Sequence, residues 1–168
     1  MKLLEFNPDL LPKDDFSVAI TGNRHLDEKD YVTIQNTISE LVTNPNVKEI
    51  YFGGAVGADT VALEAAIGIV CINKPQLIVV VPDTLERQPA PTHAVSKRAD
   101  RLTELHAQIT ILDGWRAFHA RNEYMVDHAA ITVAFWDKQP KGGTYACIRY
   151  SINQGKNVYI AQIIGYDK

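Results

Sequence analysis

Three short loops hold the residue types from which a phosphate site is built. Thr21-Gly22-Asn23-Arg24 directly follows an apolar run. Gly22 lets the backbone turn sharply, Asn23 tolerates unusual dihedrals, and Arg24 supplies a planar fork of donors suited to phosphate or carboxylate. Phe52-Gly53-Gly54-Ala55-Val56-Gly57-Ala58-Asp59 leads from a second apolar run into a helical pattern. Its small residues, Gly53, Gly54, Ala55 and Gly57, leave backbone N–H groups open at a helix N-terminus, where the dipole favours an anion. The loop is not GxxxxGK[ST], because no Lys follows, and not GxGxxG, because the second interval differs. Asp59 reads either as a helix cap or as an acceptor for ribose hydroxyls beside a phosphate. Glu64, further along the same helix, reads as structural. Pro140-Lys141-Gly142-Gly143-Thr144 forms the third loop. Gly142 and Gly143 at a helix start again make an anion cradle, and Thr144 can cap the helix and contact phosphate.

A fourth segment runs His119-Ala-Arg121-Asn122-Glu123-Tyr-Met125-Val-Asp127-His128. Arg121 and Met125 share one helix face, and Asn122 adjoins them. An Arg within a core-facing helix needs a partner, and a phosphate held by the second or third loop would be that partner. The five histidines have no ligand spacing, and Cys71 and Cys147 form no CxxC pair. No metal, no cofactor and no disulfide framework is therefore expected. Two reduced thiols suit an intracellular protein.

The elements that must position these residues alternate along the chain. Ser17–Thr21, Lys48–Phe52, Leu77–Val81, Gln108–Leu112, Ile131–Trp136 and Asn157–Ile163 read as strands. Glu28–Val42, Asp59–Cys71, Ala94–Ala107, Trp115–Ala129 and Tyr145–Gln154 read as helices. Residues 82–93 are Pro-rich and irregular, either a lid or a stiffened connection. Such alternation implies right-handed crossovers and a three-layer α/β fold, a mainly parallel sheet of about six strands with helices on both faces. One domain is expected over 1–168, with its core at about 17–160 and an N-terminal extension over 1–16. Of the ten glycines, seven (Gly22, Gly53, Gly54, Gly57, Gly114, Gly142, Gly143) come just after a predicted strand. They gather at the carboxyl edge of the sheet, where ligands bind in such folds.

Composition narrows the function classes. Hydrophobic residues make up 46% and charged residues 22% of the 168, and the net charge is −3, with a pI near 5.9. This is an ordinary globular balance and not a polycation. The longest apolar stretches, Ile67–Ile72 and Leu77–Val81, fall far short of the ~20 residues that span a bilayer. The N-terminus lacks the pattern of a signal peptide. The chain is expected to be soluble and cytoplasmic, with no membrane partner.

Taken together, strand-GNRH, FGGAVGAD opening a helix, ARNEYMVDHA, and ITVAFWD followed by KGGT resemble the SLOG superfamily. This is the Rossmann-like fold shared by SMF/DprA and LOG proteins, and the motif order is similar to its YspA/YpsA-like branch. The resemblance runs from about Ser17 to Ile160. It implies a nucleotide pocket lined by Gly22, Arg24, Gly53, Gly54, Asp59, Arg121, Asn122, Gly142, Gly143 and Thr144. LOG enzymes hydrolyse the N-glycosidic bond of nucleoside 5′-monophosphates, using an Arg on the preceding helix and a Glu three residues after a Gly-Thr. Arg121 matches the Arg, but Cys147 stands where the Glu would be, which leaves Glu123, Asp59 or Glu64 as substitute acids. DprA-type members bind single-stranded DNA, a mode that calls for a positive groove and stacking aromatics. Here Lys97, Arg98 and Arg101 cluster on one candidate helix, as a solvated face, in a chain that is acidic overall.

The resulting expectation is a pocket for a phosphorylated nucleoside or ADP-ribose-like derivative, in a sensor, sequestering or processing protein. Its alternatives are an N-glycosidic hydrolase or transferase using Arg121 and Glu123, and a DprA-like single-stranded DNA binder. The overall charge argues against a nucleic-acid partner. The resemblance further implies a homodimer or higher homo-oligomer.

Overall fold

The computed structural model describes residues 2–105 and 114–165, with only the backbone at 114 and 115. Its strands are β1 (Leu3–Glu5), β2 (Phe16–Gly22), β3 (Val47–Phe52), β4 (Gln76–Val81), β5 (Arg101–Glu104), β6 (Ile131–Trp136) and β7 (Asn157–Gln162). They form one seven-stranded sheet in the order β1-β7-β6-β2-β3-β4-β5, and every pairing is parallel. The helices are α1 (Asp30–Val42), α2 (Ala58–Gly68), α3 (His93–Ser96), α4 (Gly114–His128) and α5 (Gly142–Asn153).

The central strands are apolar without alternation because both faces are covered. All six residues of β6 are buried, as are five of the six in β4. Successive side chains of β2 go to opposite layers. Val18 and Ile20 join Ile34, Ile38 and Leu41 of α1 and Ala62, Leu63 and Ala66 of α2. Ala19 instead meets Met125 of α4 and Ala129 just beyond its end. Ile148 of α5 packs on Ala134, Trp136, Val158 and Ile160. The chain winds outward from β2 through β3, β4 and β5, then returns to place β6 on its other side. The crevice between the carboxyl ends of β2 and β6 is thus the switch point where such sheets bind ligands.

Two elements depart from the expected order. The helix expected over Ala94–Ala107 is a four-residue helix, α3, followed by the edge strand β5. Two carboxylates pin that strand. Asp100 accepts the Leu77 N–H at 2.7 Å and Glu104 accepts the Leu85 N–H at 2.8 Å. Lys97, Arg98 and Arg101 consequently do not share a helix, and Arg101 faces Glu49 at 3.9 Å. The strand expected over Gln108–Leu112 lies outside the described residues. The segment over 1–16 supplies β1, which pairs with β7 through Leu3↔Val158 and Leu4↔Tyr159. Residues 82–93 fold into two 3-10 turns, Leu85–Arg87 and Ala90–Thr92. Among the described residues, no helix is long and apolar enough to cross a membrane.

Candidate functional site

Two glycines lock the first loop onto the second. A Cβ at Gly22 would sit 2.5 Å from the Ala58 Cβ, and one at Gly57 would sit 2.3 Å from the Arg24 carbonyl oxygen. Gly57 also has φ +85, a conformation that other residues resist. Asn23 N–H donates to Phe135 O at 3.0 Å, and its own carbonyl accepts the Ala58 N–H at 3.0 Å. That N–H, at the start of α2, is therefore spent inside the protein and does not face an anion. Gly54, at φ +68, is pressed onto Val79 and Val81 of β4.

Beneath these loops lie two buried side chains of opposite charge, without a direct salt bridge. Arg121 is 4% exposed and Asp59 is 7% exposed. An Arg121 Nη1–H donates to the Gly53 carbonyl, and its Nε–H donates to Asn122 Oδ1 at 2.8 Å. A Cβ at Gly53 would come within 2.7 Å of Asp59 Oδ2 and 2.8 Å of Arg121 Nη1, so only glycine lets the two side chains close over the backbone. Arg121 thus finds its partners within the chain, where a bound phosphate was expected to be the partner. Asp59 does not cap its helix; its Oδ2 accepts the Ala55 N–H at 3.3 Å, and its Oδ1 is buried without a hydrogen-bond partner. Burial pushes the Asp59 carboxyl up to about 6, against the pull of Arg121 and Arg24. Burial likewise lowers the Arg121 pKa, and Asp59 works to restore it.

The third loop opens α5. Its N-cap is Lys141, not Thr144, and no side chain caps the helix. A Cβ at Gly142 or Gly143 would meet nothing within 4 Å. Gly142 takes φ +88, a conformation that other residues resist, whereas Gly143 answers no packing need. Together they leave the uncapped helix N-terminus without a covering side chain, an arrangement that suits an anion.

The loops enclose a cleft of about 850 Å³. Thr21, Gly22, Asn23, Arg24, Ala55, Asp59, Arg121, Asn122, Gly142, Gly143 and Thr144 line it. Gly53, Gly54 and Gly57 do not line it, contrary to expectation; their backbone lies against Asp59 and Arg121, β4 and Arg24 respectively. Met125 is buried under Ala19 and Tyr51, away from the cleft. No residue of 82–93 lines the cleft.

Phe118 was not anticipated from the sequence. Its ring lines the cleft, with the Arg24 guanidinium 5.0 Å and the Arg121 guanidinium 5.7 Å from its centroid. The helical period held the signal, since Phe118 lies three residues before Arg121 on the same face.

Glu123 is exposed on another face of α4. It lines a separate groove of about 290 Å³ between α4 and α5, with His119 and Tyr150. Residues two apart on a helix point in different directions, so Arg121 and Glu123 face different grooves. Glu64 is exposed outside the cleft. Cys147 is buried, and burial pushes its thiol up to about 12 although the Thr21 hydroxyl and Arg121 pull it down. It offers neither an acid nor a thiolate at neutral pH. No group of three or more potential metal-ligating residues occurs among the described residues.

Residues 6–164 match the family described as DNA recombination-mediator protein A. No curated protein matches the chain. Among solved structures, DNA processing protein A from Helicobacter pylori, reported for its single-stranded DNA binding mode, is similar at a TM-score of 0.67 and 24% identity. The match covers 88% of this chain and 65% of that one. DNA processing protein A from Streptococcus pneumoniae is similar at a TM-score of 0.67 and 18% identity, over 88% of this chain and 50% of that one. The chain therefore spans less than two thirds of either relative, and at these identities the likeness concerns the fold. The family match over residues 6–164 upholds the resemblance to the DprA-containing superfamily, and the structural likeness upholds its Rossmann-like fold. The family match overturns two expectations, a nucleotide-derived small molecule as ligand and the exclusion of a nucleic-acid partner. The net charge misled because it averages over the chain, whereas the cleft gathers Arg24, Arg121 and Lys141 against Asp59 and Asp137.

Proposed function

The chain belongs to the DNA recombination-mediator protein A family, and we propose that its cleft between β2 and β6 binds single-stranded DNA. The observation that carries this reading is Phe118, set in the cleft with the Arg24 and Arg121 guanidiniums over its ring. Single-strand sites combine aromatic platforms for bases with cations for the backbone. The uncapped start of α5 at Gly142 and Gly143 supports a backbone phosphate contact beside them. Arg121, already bonded to Gly53 O, acts by holding the cleft floor and by its charge. Arg24 and Lys141 are exposed and reach a strand directly.

Fluorescence anisotropy with a labelled oligothymidylate tests the proposal. Loss of a base–aromatic stack costs about 1–3 kcal/mol, so Phe118→Ala should weaken binding by roughly 5- to 150-fold while the protein stays folded. Unchanged affinity in a folded Phe118→Ala variant would refute it. The finer placement in the YspA/YpsA-like branch, which rests on the order of the four motifs, belongs with this proposal. So does self-association, which sedimentation would read.

A further inference from the structure

Resting on the single-strand reading, we infer that Ile164 is an apolar wedge, fixed at the cleft by the buried carboxylate of Asp30, that packs against the bases of a bound strand. The chain leaves β7 at Gln162, and Ile163 turns inward, 3% exposed, its N–H donating to Trp136 O at 3.1 Å. Ile164 turns the other way and is 58% exposed on the cleft wall. Apart from Phe118, it is the large apolar side chain among the described lining residues.

Isolated exposed aliphatic residues are ordinary, but this one is held by an unusual device. Asp30, the first residue of α1, is 1% exposed. Its carboxylate accepts the Ile164 N–H at 2.8 Å, the Gly165 N–H at 2.9 Å and the Asp27 N–H at 2.9 Å. Gly165 takes φ +73, and a Cβ there would lie 3.0 Å from the Asp137 Cβ. A buried charge is costly unless its lone pairs are satisfied, and here successive backbone N–H groups of the segment after β7 satisfy them. The start of α1 adds a favourable dipole. The clamp fixes the backbone on both sides of Ile164 while leaving its side chain in the cleft opening. A branched aliphatic group cannot bond to phosphate. It suits the apolar faces of unpaired bases, which a duplex keeps stacked inside.

The test compares binding of a labelled oligothymidylate with that of an abasic strand of the same length, for the natural chain, Ile164→Ala and Asp30→Asn. Ile164→Ala truncates a mostly exposed side chain outside the buried core and should fold normally. It should weaken oligothymidylate binding by about tenfold, leave abasic binding unchanged, and leave the salt dependence unchanged, because an apolar contact releases no counterions. Asp30→Asn should weaken oligothymidylate binding as well, with no further loss on adding Ile164→Ala. Unchanged affinity in Ile164→Ala, or an equal loss on the abasic strand, overturns the inference. If Phe118→Ala still weakens binding in that case, the single-strand reading stands without the wedge. If the natural chain binds neither strand, both fail.

Discussion

Replacing Asp59 with Asn should stabilise the protein at neutral pH and do little at acid pH. The Asp59 carboxyl titrates at about 6 in the folded protein against an ordinary 3.8. An acid whose pKa is raised by folding holds its proton more tightly in the native state. Between these two values the native chain binds more protons than the unfolded one, so stability falls as pH rises through the window and the full cost is present above about 6. A gap of about 2 units at 1.36 kcal/mol each gives a cost of ~3 kcal/mol. This value already includes the attraction of Arg121, the second cause of the shift. Asn resembles the protonated acid and does not titrate. Urea unfolding of both proteins at about pH 4 and about pH 7.5 isolates the effect, because all other groups titrate alike in the two chains. The stability difference should grow from about 0.5 kcal/mol to as much as ~3 kcal/mol in favour of Asn. An equal difference at both pH values, or a less stable Asn variant at neutral pH, would refute the claim that burial of this charge dominates.

Three other outcomes follow from the same geometry. Gly57→Ala should cost about 1–3 kcal/mol, because φ +85 and the Arg24 backbone both oppose a side chain. Thermal unfolding checks this, with Gly143→Ala as the tolerated control. Gly143→Asp should leave stability unchanged or raise it by about 0.3–1 kcal/mol, since a carboxylate suits a helix start. It should nonetheless weaken oligonucleotide binding in anisotropy, because the charge occupies the proposed phosphate position. Iodoacetamide should modify the half-buried Cys71 of the native protein and reach Cys147 only after unfolding, as mass spectrometry would show.

The parts of this fold that were legible are those whose signal is local. The β-branched runs of β4 and β6 announce buried parallel strands, and the glycines after β2, β3 and β6 mark the ligand edge. The two edge strands were not legible. β1 is three residues long, and β5, Arg-Leu-Thr-Glu, is as polar as a helix surface until the carboxylates of Asp100 and Glu104 pin it. Arg24, Arg121 and the Gly142–Thr144 loop, which the structure brings together in the cleft, stood out in the sequence because Arg and paired glycines are distinctive residue types after a strand. Asp59 facing Arg121 across Gly53 is a tertiary fact, with 61 residues of chain between them. Ile164 carries no chemical signature at all; only the Asp30 clamp gives it meaning. Glu123 shows the opposite failure, a plausible acid one residue from Asn122 that the helix turns into another groove.

The salt dependence of oligothymidylate binding, for the natural chain and for Arg24→Ala, decides whether the cleft binds single-stranded DNA as proposed. Arg24 is exposed and outside the core, so its loss should spare the fold. The natural chain should bind with an affinity that falls linearly on a log–log plot against salt, and removing one phosphate contact should flatten that slope by about 0.7. Absence of binding at low salt, or a slope that Arg24→Ala leaves unaltered, would contradict the account.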